Sequence, residues 1–220
     1  VADVLLILPI LLFSVVLHEF AHAWTAWRAG DETAWRLGRL TLNPLPHIDP
    51  LMSVVVPVAL WVMSSGTFTF GAARPVPVVP ANFRRPRRDD VIVSGAGIAA
   101  NLLLAALCAG LFVALGAAGR DGAELLTTLQ QVFAIGLFLN VLLAFFNLLP
   151  LPPLDGSHIV AQLLPAAWRP RYLRAGRYGF VALLLAMWLL PDVWGTVFWP
   201  VTAVTEAARE ALKPWALAAP

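Results

Sequence analysis

Charge is what this 220-residue chain has least of: acidic and basic residues together make up 13% of it against 60% hydrophobic residues, with a mean hydropathy of +0.78. That balance excludes an ordinary soluble domain and indicates an integral membrane protein. Cysteine is almost absent as well. Cys108 stands alone inside an apolar run, so no internal disulfide framework exists and it reads as a small buried hydrophobe. A net charge of +2 and a pI near 9.2 would hint at nucleic acid in a soluble protein. Here the arginines form short clusters between apolar runs, as topology determinants do, and no nucleic-acid partner is expected. The first apolar run has no small-residue cleavage site after it, which argues against a removable signal peptide. With no internal repeat and no long low-complexity linker, residues 1–220 read as one domain: a core of about 4–165 and C-terminal helices over about 166–220.

A helix that crosses the hydrocarbon core needs about 20 predominantly apolar residues. Val4 to Trp27, Val91 to Ala118 and Thr127 to Leu149 meet that length, and the last leads into the proline-broken "LLPLPPLDGSHIV". Tyr178 to Leu190 is a fourth candidate, continuing through Pro191 to Trp199, with Trp188, Trp194 and Trp199 suited to an interfacial belt. Val201 to Leu212 reads as an interfacial or packing helix. Leu51 to Met63 is apolar but short and holds Pro57, which suits a re-entrant segment better than a full span. The expected fold is an all-α polytopic bundle with a short β or re-entrant loop region between the first two core helices.

Arginine sets the expected orientation. "RRPRR" at 84–88 and "WRPRYLRAGR" at 168–177 are strongly basic, whereas "RDGAE" at 120–124 is not, so the first two are expected on the cytoplasmic side. "FRRPRRDD" would then meet anionic head groups, with Trp24 and Trp27 anchoring the end of the first helix.

The chemistry lies in "VVLHEFAHAW", residues 15–24, where three ionisable side chains interrupt an apolar helix. Ionisable residues at such depth are costly and mark function by default. On a helix, positions i and i+4 share a face, so His18 and His22 can each offer a ring nitrogen to one metal while Glu19 reaches a metal-bound water. This is HExxH, the zinc-hydrolase motif, in which the metal acidifies a water and polarises a carbonyl and the glutamate takes the proton. A catalytic zinc usually takes three protein ligands. Asp155, just past an apolar helix in a proline-rich break, is the best candidate for the third, although Asp-Gly is equally a turn signal. His158 is a rival ligand or simply a polar residue at a helix start, and His47 with Asp49 in "PHIDP" reads as an interfacial turn.

"HEFAH", then "SGAGIAAN" with its GxxxN spacing from Gly97 to Asn101, then "NLLPLPPLDG" stand in the order found in the site-2 protease family of intramembrane zinc metalloproteases, which the chain resembles over most of residues 10–165. The intervening "LTLNPLPHIDP" and "GAARPVPVVPANFRRPRRD" also look like bacterial and archaeal members of that family. The resemblance implies one zinc ion held by His18, His22 and Asp155, water activation by Glu19, and a role for Asn147 in holding the substrate or the developing oxyanion. It places Asn101 in helix packing or support of the site. It further suggests that Pro75, Val76, Pro77 and Val78 belong to a loop beside the site that pairs with an unwound substrate; a rigid connector is the alternative for this stretch. Gly95 and Gly97 permit close helix approach. No segment resembles an appended regulatory domain, so a minimal core is expected.

The expected activity is therefore endoproteolysis of transmembrane proteins or peptides in the bilayer. The competing expectation is a membrane scaffold or transporter with a structural metal, and Glu19 separates the two, since a structural zinc site needs no general base. His18 lies ten residues before Arg28, about 15 Å along the helix, which puts the metal nearer the cytoplasmic face.

Overall fold

The computed structural model describes residues 2–63, 74–119 and 124–217. In chain order the helices are α1 (Ala2–Ala29), α2 (Thr33–Arg36), α3 (Val56–Met63), α4 (Pro86–Ala118), α5 (Glu124–Leu148), α6 (Asp155–Leu163), α7 (Arg169–Arg174), α8 (Gly176–Leu189), α9 (Pro191–Val197) and α10 (Trp199–Leu212). Three of these, α1, α4 and α5, are long and apolar enough to cross a membrane. They agree with the three clear runs in the sequence, and α4 starts five residues earlier because Pro86 suits a first helical turn.

The fourth candidate does not continue through Pro191. Leu190 leaves the helical region at φ −129°, ψ 57°, and Pro191 begins a separate short helix. Proline lacks the N–H that would carry α8 onward. Among the described residues there is also no strand: Pro50–Val55 is a π-helical turn running into α3, and residues 74–79 are irregular. The backbone N–H groups of Val76 and Val79 donate to side chains, those of Glu19 and Asp31, rather than to a neighbouring strand. Residues 64–73, which fall in the same region, lie outside the described residues.

α4 lies against both α1 and α5, and α10 packs on α4 and α5. Val201 of α10 packs on Ala105, Leu137 and Val141, so the expected packing helix is one. The polarity of the bundle is inverted relative to a soluble protein. Leu103 is 72% exposed whereas Asn101, two residues earlier, is fully buried, as suits helices with lipid outside and a polar seam within. Gln130 fastens the end of the chain to this bundle. Its amide donates to Phe112 and Trp215 carbonyls, and its oxygen accepts from Leu217 N–H.

The end of α1 is defined by its glycine. Gly30 has φ 111°, and the Gly30 N–H to Trp27 carbonyl and Asp31 N–H to Ala26 carbonyl bonds close a Schellman turn. Asp31 is thereby delivered, fully buried, beneath residues 79–82. It accepts from Val79 N–H at 2.7 Å, Asn82 Nδ2 at 2.8 Å, Thr33 N–H at 3.1 Å and the Thr33 hydroxyl. Burial pushes its carboxyl up, but these donors outweigh burial and hold it below the ordinary value of 3.8. The contribution to stability is thus complete above that value and is lost as the pH falls through the depressed folded-state value. Asp31→Ala removes the acceptor shared by Val79 N–H, Asn82 Nδ2 and Thr33 and is expected to cost about 1–3 kcal/mol in all. The check is a thermal melt of the two proteins, in which the difference seen at neutral pH shrinks as the pH is lowered below 4.

Candidate metal centre

The middle of α1 presents His18 and His22 on one face, and both are buried. Their rings meet edge to face, with Nε2 atoms 2.9 Å apart. Asp155, the first residue of α6, brings Oδ2 to 3.1 Å from each Nε2. Among the described residues these three form a group whose ligand atoms all lie within 4.8 Å of one another. Asp155 reaches α1 because Pro150 to Leu154 turn the chain after α5. Gly156 then passes so close to the Leu148 carbonyl that no Cβ could stand there.

The protons on the two rings follow from their other partners. His22 Nδ1 lies 2.7 Å from the Val93 carbonyl, which can only accept, so this nitrogen donates. His18 Nδ1 lies 2.6 Å from Asn101 Oδ1, and the Asn101 amide nitrogen donates to Asn140 Oδ1 at 2.8 Å. Asn140 in turn donates to the Gly136 carbonyl at 2.8 Å and to Ser14 Oγ at 2.9 Å. The Gly136 carbonyl fixes which way Asn140 points, Asn140 fixes Asn101, and Asn101 presents an acceptor to His18. Both imidazoles therefore donate from Nδ1, and in the neutral ring the Nε2 lone pair is left bare.

Two bare nitrogens and a carboxylate oxygen thus converge on one point. Burial pushes the Asp155 carboxyl up, but its contacts with His18 and His22 outweigh burial and hold it well below the usual carboxylate range. Three acceptors crowded in this way repel one another unless a cation lies between them. A tetrahedral zinc with bonds of about 2.0–2.1 Å sets its ligand atoms about 3.3 Å apart, close to the spacing here. The donor set therefore fits zinc. Gly97 adds a second sign: a Cβ at this position would crowd both histidine Nε2 atoms, lying 2.6 Å from that of His18. A Cβ on Gly95, by contrast, would meet nothing within 4 Å, so of these two glycines only Gly97 serves close approach.

Glu19 is half-buried beside this group, with Oε2 accepting from Val76 N–H at 2.7 Å. Val76 is buried and packs with Ala23, Ala34 and partly buried Leu40. Arg39 donates to the Arg74 carbonyl at 2.8 Å and the Pro75 carbonyl at 3.3 Å, and Val78 packs beside Ala26, Phe83 and Val93. Pro75 is exposed and Pro77 half-buried. The Pro75–Val78 stretch is thus bolted beside the glutamate. Asn147 is half-buried, and its amide bonds back to the Leu143 carbonyl one turn earlier at 3.0 Å.

Other candidates lie apart from the group. His47 is buried with Nε2 3.0 Å from the Thr41 carbonyl, and Asp49 accepts from Leu51 N–H. His158 Nδ1 is 3.5 Å from Asp90, which also accepts from Gln162 at 2.5 Å. The hydrogen bond with Asp90 raises the His158 pKa against the opposing effect of burial. Asn140 and Ser14 are the functional-site residues that sequence reasoning missed. Their signal was polarity at depth in helices otherwise made of Leu, Phe, Val and Ala.

Comparison with known proteins adds an independent line. Residues 82–190 match the model of "Peptidase family M50". "Putative zinc metalloprotease YwhC" of Bacillus subtilis is 42% identical over 192 residues, which is 87% of this chain and 83% of that protein. "Putative zinc metalloprotease Rip2" of Mycolicibacterium smegmatis is 36% identical over 180 residues, 80% of this chain and 64% of its own length. The protein of the same name from Mycobacterium tuberculosis is 33% identical over 197 residues, covering 86% and 70% respectively. No solved structure matches the chain.

Proposed function

The chain belongs to peptidase family M50, the site-2 protease family, and from that premise we propose that it is a zinc endopeptidase that cuts peptide bonds in or near transmembrane segments. The observation that carries the proposal is the convergence of His18 Nε2, His22 Nε2 and Asp155 Oδ2 next to the Glu19 carboxylate. We assign the first three as the ligands of one zinc ion per chain and Glu19 as the general base. Zinc bound there would supply a Lewis acid that polarises a carbonyl and acidifies a water.

The chain's own residues do the rest. Asn101 and the Val93 carbonyl hold the imidazoles in the tautomer that presents Nε2, as hydrogen-bonded partners of metal-binding histidines do. Val76 N–H holds one oxygen of Glu19, leaving Oε1 to take the proton of the attacking water and pass it to the leaving amine. Asn147 keeps a second amide hydrogen for the substrate or the developing oxyanion. Pro75 to Val78, fixed beside Glu19, form a rail along which an unwound substrate can lie, and proline spacing leaves that rail few donors of its own. The re-entrant reading of the segment before it, residues 51–63, follows from its shortness and from Pro57. The arginine distribution supports a site nearer the cytoplasmic face.

The test is incubation of the purified, zinc-loaded protein in detergent with a model transmembrane peptide, the products being identified by mass. Two fragments that meet at a bond within or beside the apolar segment are expected. An intact peptide would refute the assignment.

A further inference from the structure

The basic run around Arg171, Arg174 and Arg177 plays no part in the metal centre, yet it borders a shaped surface. α7 passes into α8 with Ala175 still helical at φ −61°, ψ −23°. Arg171, Arg174, Ala175 and Tyr178 thus fall at i, i+3, i+4 and i+7 and share one face. With Arg177 they line a single pocket of about 350 Å³. Ala175 and Tyr178 also line the adjoining groove of about 480 Å³, whose helical wall continues at the same spacing through Gly179, Ala182, Leu183 and Ala186.

The opposite wall is Leu151 to Leu154, with Trp194 beside it. Gly179 makes the groove narrow, since the Pro152 carbonyl lies where its Cβ would be. Tyr172 ties the arginine end to the same wall through a hydrogen bond from its hydroxyl to the Pro150 carbonyl at 2.7 Å. One continuous surface therefore runs from three guanidiniums to an apolar slot. No acidic residue lines either part, and no acidic side chain pairs with these arginines among the described residues.

The geometry points to a binding site for one anionic phospholipid, with its phosphate on Arg171, Arg174 and Arg177 and an acyl chain in the groove between α8 and the Leu151–Leu154 loop. Charge complementarity selects the head group. Length selects the tail: from Ala175 to Ala186 the helix rises by eleven residue steps, about 16 Å, and half of a hydrocarbon core of about 30 Å is about 15 Å. Tyr178, 67% exposed at the junction, suits the level where head groups meet chains. The occupied groove would also brace the loop that leads directly into Asp155.

Native mass spectrometry of the full chain in detergent, titrated with phosphatidylglycerol, with phosphatidylcholine of the same chains, and with glycerol 3-phosphate, tests the site. One phosphatidylglycerol is expected to stay bound, in preference to phosphatidylcholine. The Arg171→Gln, Arg174→Gln, Arg177→Gln triple variant should lower that binding on the order of 100-fold, to the phosphatidylcholine level. Ala182→Trp, which fills the groove and leaves the arginines, should weaken both lipids. Unchanged phosphatidylglycerol binding in either variant overturns the site. Displacement by glycerol 3-phosphate as effective as by free lipid would mean a free-anion site, and stronger competition by an acidic transmembrane peptide would give the groove to polypeptide. Each of those results contradicts the proposal.

Discussion

Glu19→Gln is expected to keep zinc and to lower kcat for a transmembrane peptide by about 10²–10⁴, the range for removal of a general base. Glutamine has nearly the same shape, and its amide oxygen can still accept from Val76 N–H, so the Pro75–Val78 stretch stays where it is. The ligand atoms of His18, His22 and Asp155 are untouched. What disappears is the capacity to take a proton. Metal content measured beside single-turnover cleavage separates the two effects: zinc equal to the wild type with cleavage lost supports the base role, and cleavage at the wild-type rate removes Glu19 from the mechanism.

Asp155→Ala is expected to act on the metal itself. In the proposed ligand set the carboxylate is the one member that comes from outside α1, and the one that would bring negative charge to balance the cation. Its loss leaves two neutral nitrogens, too few for a catalytic zinc site. Zinc affinity should fall by more than the 10–100-fold expected for loss of an outer partner. Asn101→Ala supplies that comparison within the same protein, because it removes the acceptor from His18 Nδ1 while leaving all three ligands. Competition with a chelator of known affinity ranks the three proteins. The expected order of affinity is wild type, then Asn101→Ala, then Asp155→Ala, and an Asp155→Ala protein that holds zinc as tightly as the wild type would exclude Asp155 as a ligand.

The histidine pair was legible in the sequence because its geometry is local. An i, i+4 spacing on a helix determines which side chains meet, and the apolar surroundings made the three ionisable groups conspicuous. Asp155 was less so. The physics of its segment allowed a turn as readily as a ligand, since only the packing of α6 against α4 and the chain reversal after α5 decide where its carboxylate points. The run from His18 through Asn101 and Asn140 to Ser14 crosses from α1 to α4 to α5 and back to α1, and no spacing along the chain encodes it. The bond between Glu19 and Val76 likewise joins residues 57 positions apart. Helix ends show the same division. Pro86 and Gly30 punctuate α4 and α1 through local chemistry, whereas apolar character at Pro191 suggested a continuous span where the missing N–H breaks it.

In the proposed centre one zinc ion is held by two histidine nitrogens of α1 and a carboxylate oxygen of α6. X-ray absorption at the zinc edge of the purified Glu19→Gln protein, in which the ligands are intact and the substrate cannot be consumed, addresses it most directly. A shell of light atoms at about 2.0–2.1 Å with the outer scattering of two imidazoles is expected. A sulfur shell near 2.3 Å, or scattering from three or more imidazoles, would contradict it.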